Sequence, residues 1–100
     1  MQFEIVFSPE ALDHLSAFTA RQRRIVLDAI EIQLQHEPTT ITRQRKPLRP
    51  NPLASWELRA EQFRVYYQVE VTDETSIVYI VAVGEKVRNQ VIIGGTQVQL

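Results

Sequence analysis

The N-terminal segment alternates between apolar and polar positions with the period of a strand. In "MQFEIVF", Phe3, Ile5 and Phe7 fall on one side and Glu4 falls on the other. Successive side chains of a strand point to opposite faces of a sheet, so this pattern predicts a strand with one buried face. The first predicted element is therefore a strand.

A helical period follows this strand. Ser8 is suited to cap a helix, and Pro9 is suited to its first position because that position needs no N–H donor. Apolar residues then recur three or four positions apart until Pro38, which cannot continue a helix. The period is interrupted near Thr19. Residues 9–36 are therefore predicted to form two helices or one bent helix.

The second half of the chain reads as a loop followed by strands. Residues 37–53 contain four prolines, which predicts an extended loop. Strand-like alternation then covers residues 54–60, 63–71 and 76–83, and "GEKVRNQVIIGG" after them is compatible with a short helical turn. The predicted fold class is α+β: an N-terminal strand, two helices as a helical hairpin, then a three-stranded antiparallel meander. The helices are expected to pack on one face of a four-stranded sheet.

Composition limits the chemistry that this fold can support. A chain of 100 residues predicts a single domain, residues 1–100, because it cannot fill two separate cores. There is no cysteine, and His14 and His36 alone are too few to hold a catalytic metal, so neither metal nor cofactor is expected. Apolar runs are too short for a membrane helix, and no secretory signal is recognisable, which predicts a cytoplasmic protein without membrane association.

The formal net charge of −1 conceals basic segments. "RQRR" at 21–24 and "RQRKPLR" at 43–49 hold seven of the eleven basic residues. The first segment is typical of a solvated helix face. The second is a candidate RNA-binding segment, since lysine and arginine on a loop contact phosphates. Its basic residues are Arg43, Arg45, Lys46 and Arg49.

Two arginines stand among apolar and aromatic residues in "WELRAEQFRVYYQVEV". Alternation places Arg59 and Arg64 on the face away from the helices, together with Glu57, Tyr66 and Gln68, and with Lys86 and Arg88 at the end of the last strand. Guanidinium groups bind phosphate through two oxygens, which favours an RNA or DNA ligand. The alternative is a solvated face on which both arginines pair with Glu57 and Glu61, each pair contributing at most about 1 kcal/mol.

Several motifs together resemble one protein family. The run "LRAEQFRVYYQV", followed after a hairpin by "IVYIVAVGEKVRN", is similar to the C-terminal half of RelE/ParE superfamily toxins from bacterial type II toxin–antitoxin systems. "FSPEALDHLSAF" and "KPLRPNPLASWELR" extend the resemblance over nearly the whole chain. The superfamily contains ribosome-dependent mRNA endonucleases and DNA gyrase poisons. The resemblance implies a toxin of the mRNA interferase type. The alternatives are a gyrase inhibitor and a non-catalytic member that binds its antitoxin and regulates transcription.

The resemblance to RelE-like nucleases also implies roles for individual residues. Arg64 matches the arginine at the scissile phosphate, and Arg59 matches a nearby phosphate-binding arginine. Lys86 stands where RelE has an arginine that stabilises the transition state, and Arg88 matches a second basic residue of that segment. These nucleases attack the phosphate with the adjacent 2′-hydroxyl and need a base, an acid and cations.

The chain also departs from the RelE pattern. Ser55 and Glu57 replace lysines that help to activate the 2′-hydroxyl, so Glu57 is expected to act as a carboxylate base. Ile92 replaces the tyrosine near the C-terminus, and Tyr66 is expected either to stack on RNA or to substitute for that tyrosine. The implied partners are the ribosome, mRNA and a cognate antitoxin. A segment of the antitoxin would cover the basic face in a hetero-oligomer.

Overall fold

The structure is a computed structural model that describes residues 2–100, so the Met1 end of the predicted first strand lies outside the described residues. Two helices and seven strands follow one another along this part of the chain. Their bounds are β1 (Glu4–Phe7), α1 (Pro9–Ser16), α2 (Ala20–Leu34), β2 (Arg45–Pro47), β3 (Trp56–Ala60), β4 (Phe63–Val71), β5 (Ser76–Val87), β6 (Gln90–Ile93) and β7 (Thr96–Val98).

Two helices form, rather than one bent helix, because each has its own N-terminal cap. The Ser8 hydroxyl accepts a hydrogen bond from the Ala11 N–H at 3.0 Å, and Pro9 begins α1. Thr19 caps α2 in the same way, and the Gln22 side chain accepts a bond from the Thr19 N–H in return. This reciprocal pair satisfies two backbone donors at the start of α2. Within residues 2–100, no helix is long and apolar enough to cross a membrane.

Strand β5 lies at the centre of the sheet. One of its edges pairs with β4, and the other is shared by β1, which runs parallel, and β6, which runs antiparallel. Helix α1 fills the gap between β1 and β6. The Ser8 hydroxyl donates to the Val81 carbonyl at 2.8 Å, and the Val83 N–H donates to His14 Nδ1 at 3.2 Å. His14 therefore ties the helix to the sheet.

The predicted four-stranded sheet is wrong. The strands follow the order β2-β3-β4-β5-β6-β7, with β1 as a further strand on β5. Strand β2 forms inside the proline-rich segment that was predicted to be a loop, where Lys46 pairs with Glu57. Pro47 ends β2 at the sheet edge, where its missing N–H is tolerated.

The fold also does not end in a three-stranded meander. Strand β5 continues to Val87, and the residues beyond it form the β6–β7 hairpin instead of a helical turn. Gly94 and Gly95 make the two-residue connection of this hairpin, with φ angles of 58° and 81°. Tight hairpin turns of this kind need positive φ at both positions, which glycine adopts without steric cost.

Apolar side chains pack on both faces of the sheet. The larger cluster lies between the sheet and the helices, and there Trp56 stacks on Tyr67 with ring centroids 6.2 Å apart. The smaller cluster, on the opposite face, contains buried Ala54, Tyr66 and Ala82. It is covered by residues of the loop before β3, of β6 and of the segment after β7. The face predicted to be open and polar therefore has an apolar layer of its own.

Candidate functional site

A groove on the face away from the helices collects most of the predicted site residues. Its volume is about 470 Å³, and residues from both ends of the sheet line it. All four predicted catalytic residues, Glu57, Arg59, Arg64 and Lys86, line the groove together with the predicted RNA-binding residues Lys46, Arg49 and Tyr66. Five of these seven side chains are basic and one is a carboxylate, so the groove is cationic although the chain carries a formal net charge of −1.

The register of β3 and β4 brings these side chains together. Arg59 pairs directly with Arg64, and Glu57 pairs directly with Tyr66. Directly opposite residues of two antiparallel strands project to the same face of a sheet, so each pair lies side by side in the groove. A two-residue turn at Glu61 fixes this register, and the φ angle of 55° at Glu61 is positive, as tight hairpin turns require.

The Arg64 side chain is buried, with 6% of its surface exposed, although the sequence predicted it to lie on an open face. Its Nη1 donates to the Glu61 carbonyl at 2.8 Å and to the Phe63 carbonyl at 2.9 Å. Burial lowers the pKa of the Arg64 guanidinium, and the charge of Arg59 lowers it further. An arginine stays protonated under such conditions, so Arg64 is a fixed cation at one end of the groove.

Arg59 is exposed and lies beside Arg64 without a carboxylate partner. Within residues 2–100, the ion pair that forms in the groove joins Lys46 Nζ to Glu57 Oε1 at 3.7 Å. The alternative in which both arginines pair with Glu57 and Glu61 is therefore not observed. Two adjacent guanidinium groups without a counter-ion repel each other, and an anion between them relieves that repulsion. This pair is the strongest candidate for an anion site on the groove.

Glu57 and Tyr66 lie side by side next to the two arginines. Glu57 is nearly buried between Lys46 on β2 and Tyr66 on β4. Tyr66 is fully buried, and among the described residues its hydroxyl has no hydrogen-bond partner. Burial raises the pKa of the Tyr66 hydroxyl, and the nearby Glu57 carboxylate raises it further. Tyr66 is therefore a neutral hydrogen-bond donor that cannot stack on a base while the smaller cluster covers it.

The loop before β3 is held by a residue that was not predicted from the sequence. The Asn51 side chain donates to the Arg49 and Ala54 carbonyls and accepts from the Leu53 and Ala54 N–H groups, at distances of 2.7–3.0 Å. These four bonds set the backbone beside Arg49, a residue that lines the groove. An asparagine between two prolines is a recognisable turn signal, so "PNP" could have indicated this role.

Three predicted RNA-binding residues lie away from the groove. Arg45 is buried, and its guanidinium donates to the Thr40 carbonyl at 2.9 Å and to the Gln33 carbonyl at 2.6 Å. It ties the proline-rich segment to α2 and presents no free face to a ligand. Arg43 is exposed outside the groove, and Arg88 lies at the exposed turn between β5 and β6.

Ile92, which the sequence comparison with RelE aligned with a tyrosine, does not face the groove. It lines a separate pocket together with His14 and Phe18 on the helix side of the sheet. The neighbouring residue Val91 faces the groove instead. Within residues 2–100, no three metal-ligating side chains cluster closely enough to hold a metal ion.

Comparisons with known proteins agree with this architecture. Residues 5–89 match the family described as the ParE toxin of the type II toxin–antitoxin system parDE. The comparison with curated proteins found no match. One similar solved structure is the toxin–antitoxin complex RelBE2 from Mycobacterium tuberculosis, with a TM-score of 0.69 and 24% identity over 86% of this chain and 100% of the other.

A second solved structure, the YoeB/ParE toxin from Agrobacterium tumefaciens, has a TM-score of 0.60 and 16% identity over 79% of this chain and 93% of the other. At these identities, both structures establish a likeness of fold. The family match is the stronger finding because it covers both helices and the strands that carry Glu57, Arg59, Arg64 and Lys86. The chain belongs to the ParE toxin family of type II toxin–antitoxin systems.

Proposed function

We propose that this toxin is a ribosome-dependent mRNA endonuclease that binds the scissile phosphate between Arg59 and Arg64. The observation that carries the proposal is the pairing of these two arginines, without a carboxylate partner, beside Glu57 in one groove. A cationic groove with one carboxylate contains the two kinds of group that phosphodiester cleavage by a 2′-hydroxyl needs first, a base and fixed positive charge.

The proposed reaction forms a bond between the 2′-oxygen and phosphorus and breaks the bond from phosphorus to the 5′-oxygen. Glu57 takes the proton of the 2′-hydroxyl, and the two guanidinium groups bind the non-bridging oxygens as negative charge builds up on them. Lys86 adds positive charge from β5. Tyr66 is the candidate proton donor to the leaving 5′-oxygen, because its hydroxyl is neutral and lies beside Glu57 in the sheet.

The remaining basic residues are proposed to contact RNA without taking part in the reaction. Lys46 and Arg49 line the groove and would hold mRNA on either side of the scissile phosphate. Arg43 and Arg88 lie outside it and would contact ribosomal RNA. Arg45 is omitted from this set, because its guanidinium is already bound to two backbone carbonyls. Ribosome and mRNA lie in the cytoplasm, so the proposal implies a cytoplasmic protein.

The family implies an antitoxin, and we propose that it binds over the groove as part of a hetero-oligomer. Five basic side chains against one carboxylate favour an antitoxin segment that carries acidic residues. The similarity in fold to a chain of the RelBE2 toxin–antitoxin complex supports an antitoxin as the partner. Co-expression of the antitoxin should then relieve the growth arrest that the toxin causes alone.

Inhibition of DNA gyrase is the second candidate function. Two observations favour it: the matched family is that of ParE toxins, and the one tyrosine of the groove is buried under apolar residues. In this case the cationic groove binds a protein or DNA, and no proton donor is needed.

One experiment distinguishes the two functions. The purified toxin is added to a reconstituted translation system with a defined mRNA, and cuts are mapped by primer extension. In parallel, supercoiling by gyrase is measured at the same toxin concentrations. The endonuclease predicts cuts at the ribosomal A site and unaffected supercoiling. Arg59→Ala should lower the cleavage rate by roughly 30- to 1000-fold, since a lost transition-state contact of this kind is worth about 2 to 4 kcal/mol.

Arg24→Ala is the matched control, because Arg24 is an exposed arginine of α2, on the opposite face of the sheet from the groove. It should reduce cleavage far less than Arg59→Ala. Inhibited supercoiling without mRNA cuts would overturn the proposed endonuclease activity and support inhibition of gyrase instead.

A further inference from the structure

Residues 90–100, here called the C-terminal cover, lie over one end of the groove. They comprise β6, the turn at Gly94 and Gly95, β7 and the two residues after β7, and they fall outside the region that matches the family. Residues 97–100 line the groove together with Lys46 and Arg49. Val91, Ile93 and Leu100 pack on buried Tyr66, Ala54 and Ala82.

The backbone of the cover pairs with the rest of the sheet along one strand only. Strand β6 pairs with β5 at residues 84–87, and β7 pairs with β6 alone. Its other contacts are the apolar packing of Val91, Ile93 and Leu100 on the smaller cluster. On the helix side, Ile92 and Gly94 lie beside His14. Segments with few buried contacts and exposed backbone hydrogen bonds open locally with less free energy than the whole protein needs to unfold.

Gly84 lets the cover approach β5 closely. Gly84 pairs with Arg64 on one side and with Ile93 on the other. A Cβ atom at Gly84 would lie 2.7 Å from the Ile92 carbonyl oxygen and 2.7 Å from Ile93 Cγ1, which is closer than real Cβ contacts. Any side chain at this position would push the cover away from β5, next to the arginine pair of the groove.

The cover also closes over an unsatisfied polar group. The fully buried Tyr66 hydroxyl has no hydrogen-bond partner among the described residues, and Leu100, Val91 and Ile93 belong to the cluster that buries it. The nearby Glu57 carboxylate is not placed for a regular hydrogen bond with it, and a buried donor that lacks such a bond raises the free energy of the closed state. Lifting the cover would let the hydroxyl reach water or an oxygen atom of a ligand. The new hydrogen bond would offset part of the free energy that opening costs.

We propose that residues 90–100 form a displaceable cover that controls access to the Tyr66 end of the groove. In the closed state, the groove offers Arg59, Arg64 and Lys86, and in the open state it also offers the Tyr66 hydroxyl. The regulatory meaning of the cover rests on the function proposed above for the groove. Its opening is a property of the fold and is measured without RNA, ribosome or gyrase.

Thiol labelling of the full chain tests the opening, because the protein contains no cysteine of its own. Ala82→Cys reports on the cluster under the cover, and Ala60→Cys reports on the helix-side cluster; the two alanines are 3% and 5% exposed. Under native conditions, we expect Ala82→Cys to react roughly 10-fold or more faster than Ala60→Cys, since local opening exposes only the first.

Two further substitutions change the cover itself. Leu100→Ser weakens its packing and Gly84→Ala displaces it, so each should raise the labelling rate of Ala82→Cys several-fold and leave that of Ala60→Cys unchanged. Equal rates for both reporters, shifted together by either substitution, would show that the cover opens only when the whole protein unfolds and would overturn the proposal.

Amide hydrogen exchange on the unsubstituted chain keeps the test decisive if a cysteine variant does not fold. The β6 amides that bond to β5 should exchange faster than those of β4, and exchange at a common rate contradicts the proposal. If the cover opens in this way but the protein does not cleave mRNA, the proposal for the cover stands and only the proposed endonuclease activity is overturned.

Discussion

Tyr66 and Tyr67 are adjacent in β4 and both fully buried, but only the Tyr67 hydroxyl has a hydrogen-bond partner within the described residues. Tyr67 points toward the helices and donates to the Pro38 carbonyl at 2.6 Å. Tyr66 points into the opposite face, where its hydroxyl is unpaired. The same side chain therefore stabilises one face of the sheet and leaves a buried polar group on the other.

The two tyrosines should respond oppositely to removal of the hydroxyl. Tyr67→Phe leaves the Pro38 carbonyl unpaired and should lower the free energy of unfolding by about 1 to 2 kcal/mol. Tyr66→Phe removes an unpaired donor and should leave the free energy of unfolding unchanged or raise it by up to about 1 kcal/mol. Urea denaturation with unchanged m-values measures both. A clear loss of stability in Tyr66→Phe would mean that the hydroxyl is bonded in solution, and the strain assigned to the closed cover would then be absent.

Alkaline pH should destabilise the protein through both tyrosines. Burial raises the pKa of Tyr66 and of Tyr67 above that of a tyrosine in the unfolded chain, which is about 10. Above this pH the unfolded chain releases two protons that the folded chain keeps, so stability is complete below pH 10 and falls as the pH rises. Each tyrosine should contribute a loss of about 1.4 kcal/mol per pH unit. Comparing the free energy of unfolding of Tyr66→Phe with that of the parent chain from pH 9 to 11 separates the contribution of Tyr66 from that of lysine titration. Identical slopes against pH would contradict a raised pKa at Tyr66.

Arg45 should act as a structural residue. Arg45→Ala removes bonds from a buried guanidinium to the Gln33 and Thr40 carbonyls, and charge-assisted bonds of this kind are worth about 1.5 to 3 kcal/mol each in favourable cases. We expect a loss of at least about 2 kcal/mol in the free energy of unfolding. Exposed Arg43 is the matched control, and Arg43→Ala should stay within about 0.5 kcal/mol of the parent chain. Equal losses of unfolding free energy in the two variants would contradict a structural role for Arg45.

The strands and caps that local patterns specify could be predicted from the sequence. Ser8 and Pro9 indicated the start of α1, and alternation placed Arg59, Arg64 and Glu57 on one face. These features depend on neighbours within a few residues, which composition and period describe directly. Four of the seven predicted residues that line the groove belong to one hairpin, β3–β4, so local alternation was sufficient to place them on the same face.

Features that depend on distant residues could not be predicted in this way. Tyr66 is buried in part by Val91, Ile93 and Leu100, and no local pattern shows that these residues return across the sheet. The basic residues at 43–49 look alike in sequence, but the register of β2 turns Arg45 toward the helices and Lys46 toward the groove. The signal of the β6–β7 hairpin was present in Gly94 and Gly95, which are the residues that a tight hairpin turn favours.

Alanine substitutions at Arg59 and Arg64 should affect activity alike but stability unequally, because Arg59 is exposed and Arg64 is hydrogen-bonded to the turn. Arg64→Ala removes two bonds to the carbonyls of Glu61 and Phe63 and should lower the free energy of unfolding by about 1 to 3 kcal/mol. Arg59→Ala removes an exposed side chain without an ion pair and should change it by at most about 0.5 kcal/mol. Both should reduce mRNA cleavage by roughly 30- to 1000-fold if the two guanidinium groups hold one phosphate.

Arg64→Lys completes the comparison. A lysine at this position keeps the charge but cannot offer one planar group to both the turn carbonyls and a phosphate, so it should recover stability more than activity. Urea denaturation and the primer-extension assay on the same protein preparations give the two quantities. If cleavage instead falls only in proportion to the folded fraction of Arg64→Ala, and Arg59→Ala is fully active, then the pair stabilises the hairpin turn and the phosphate site lies elsewhere on the toxin.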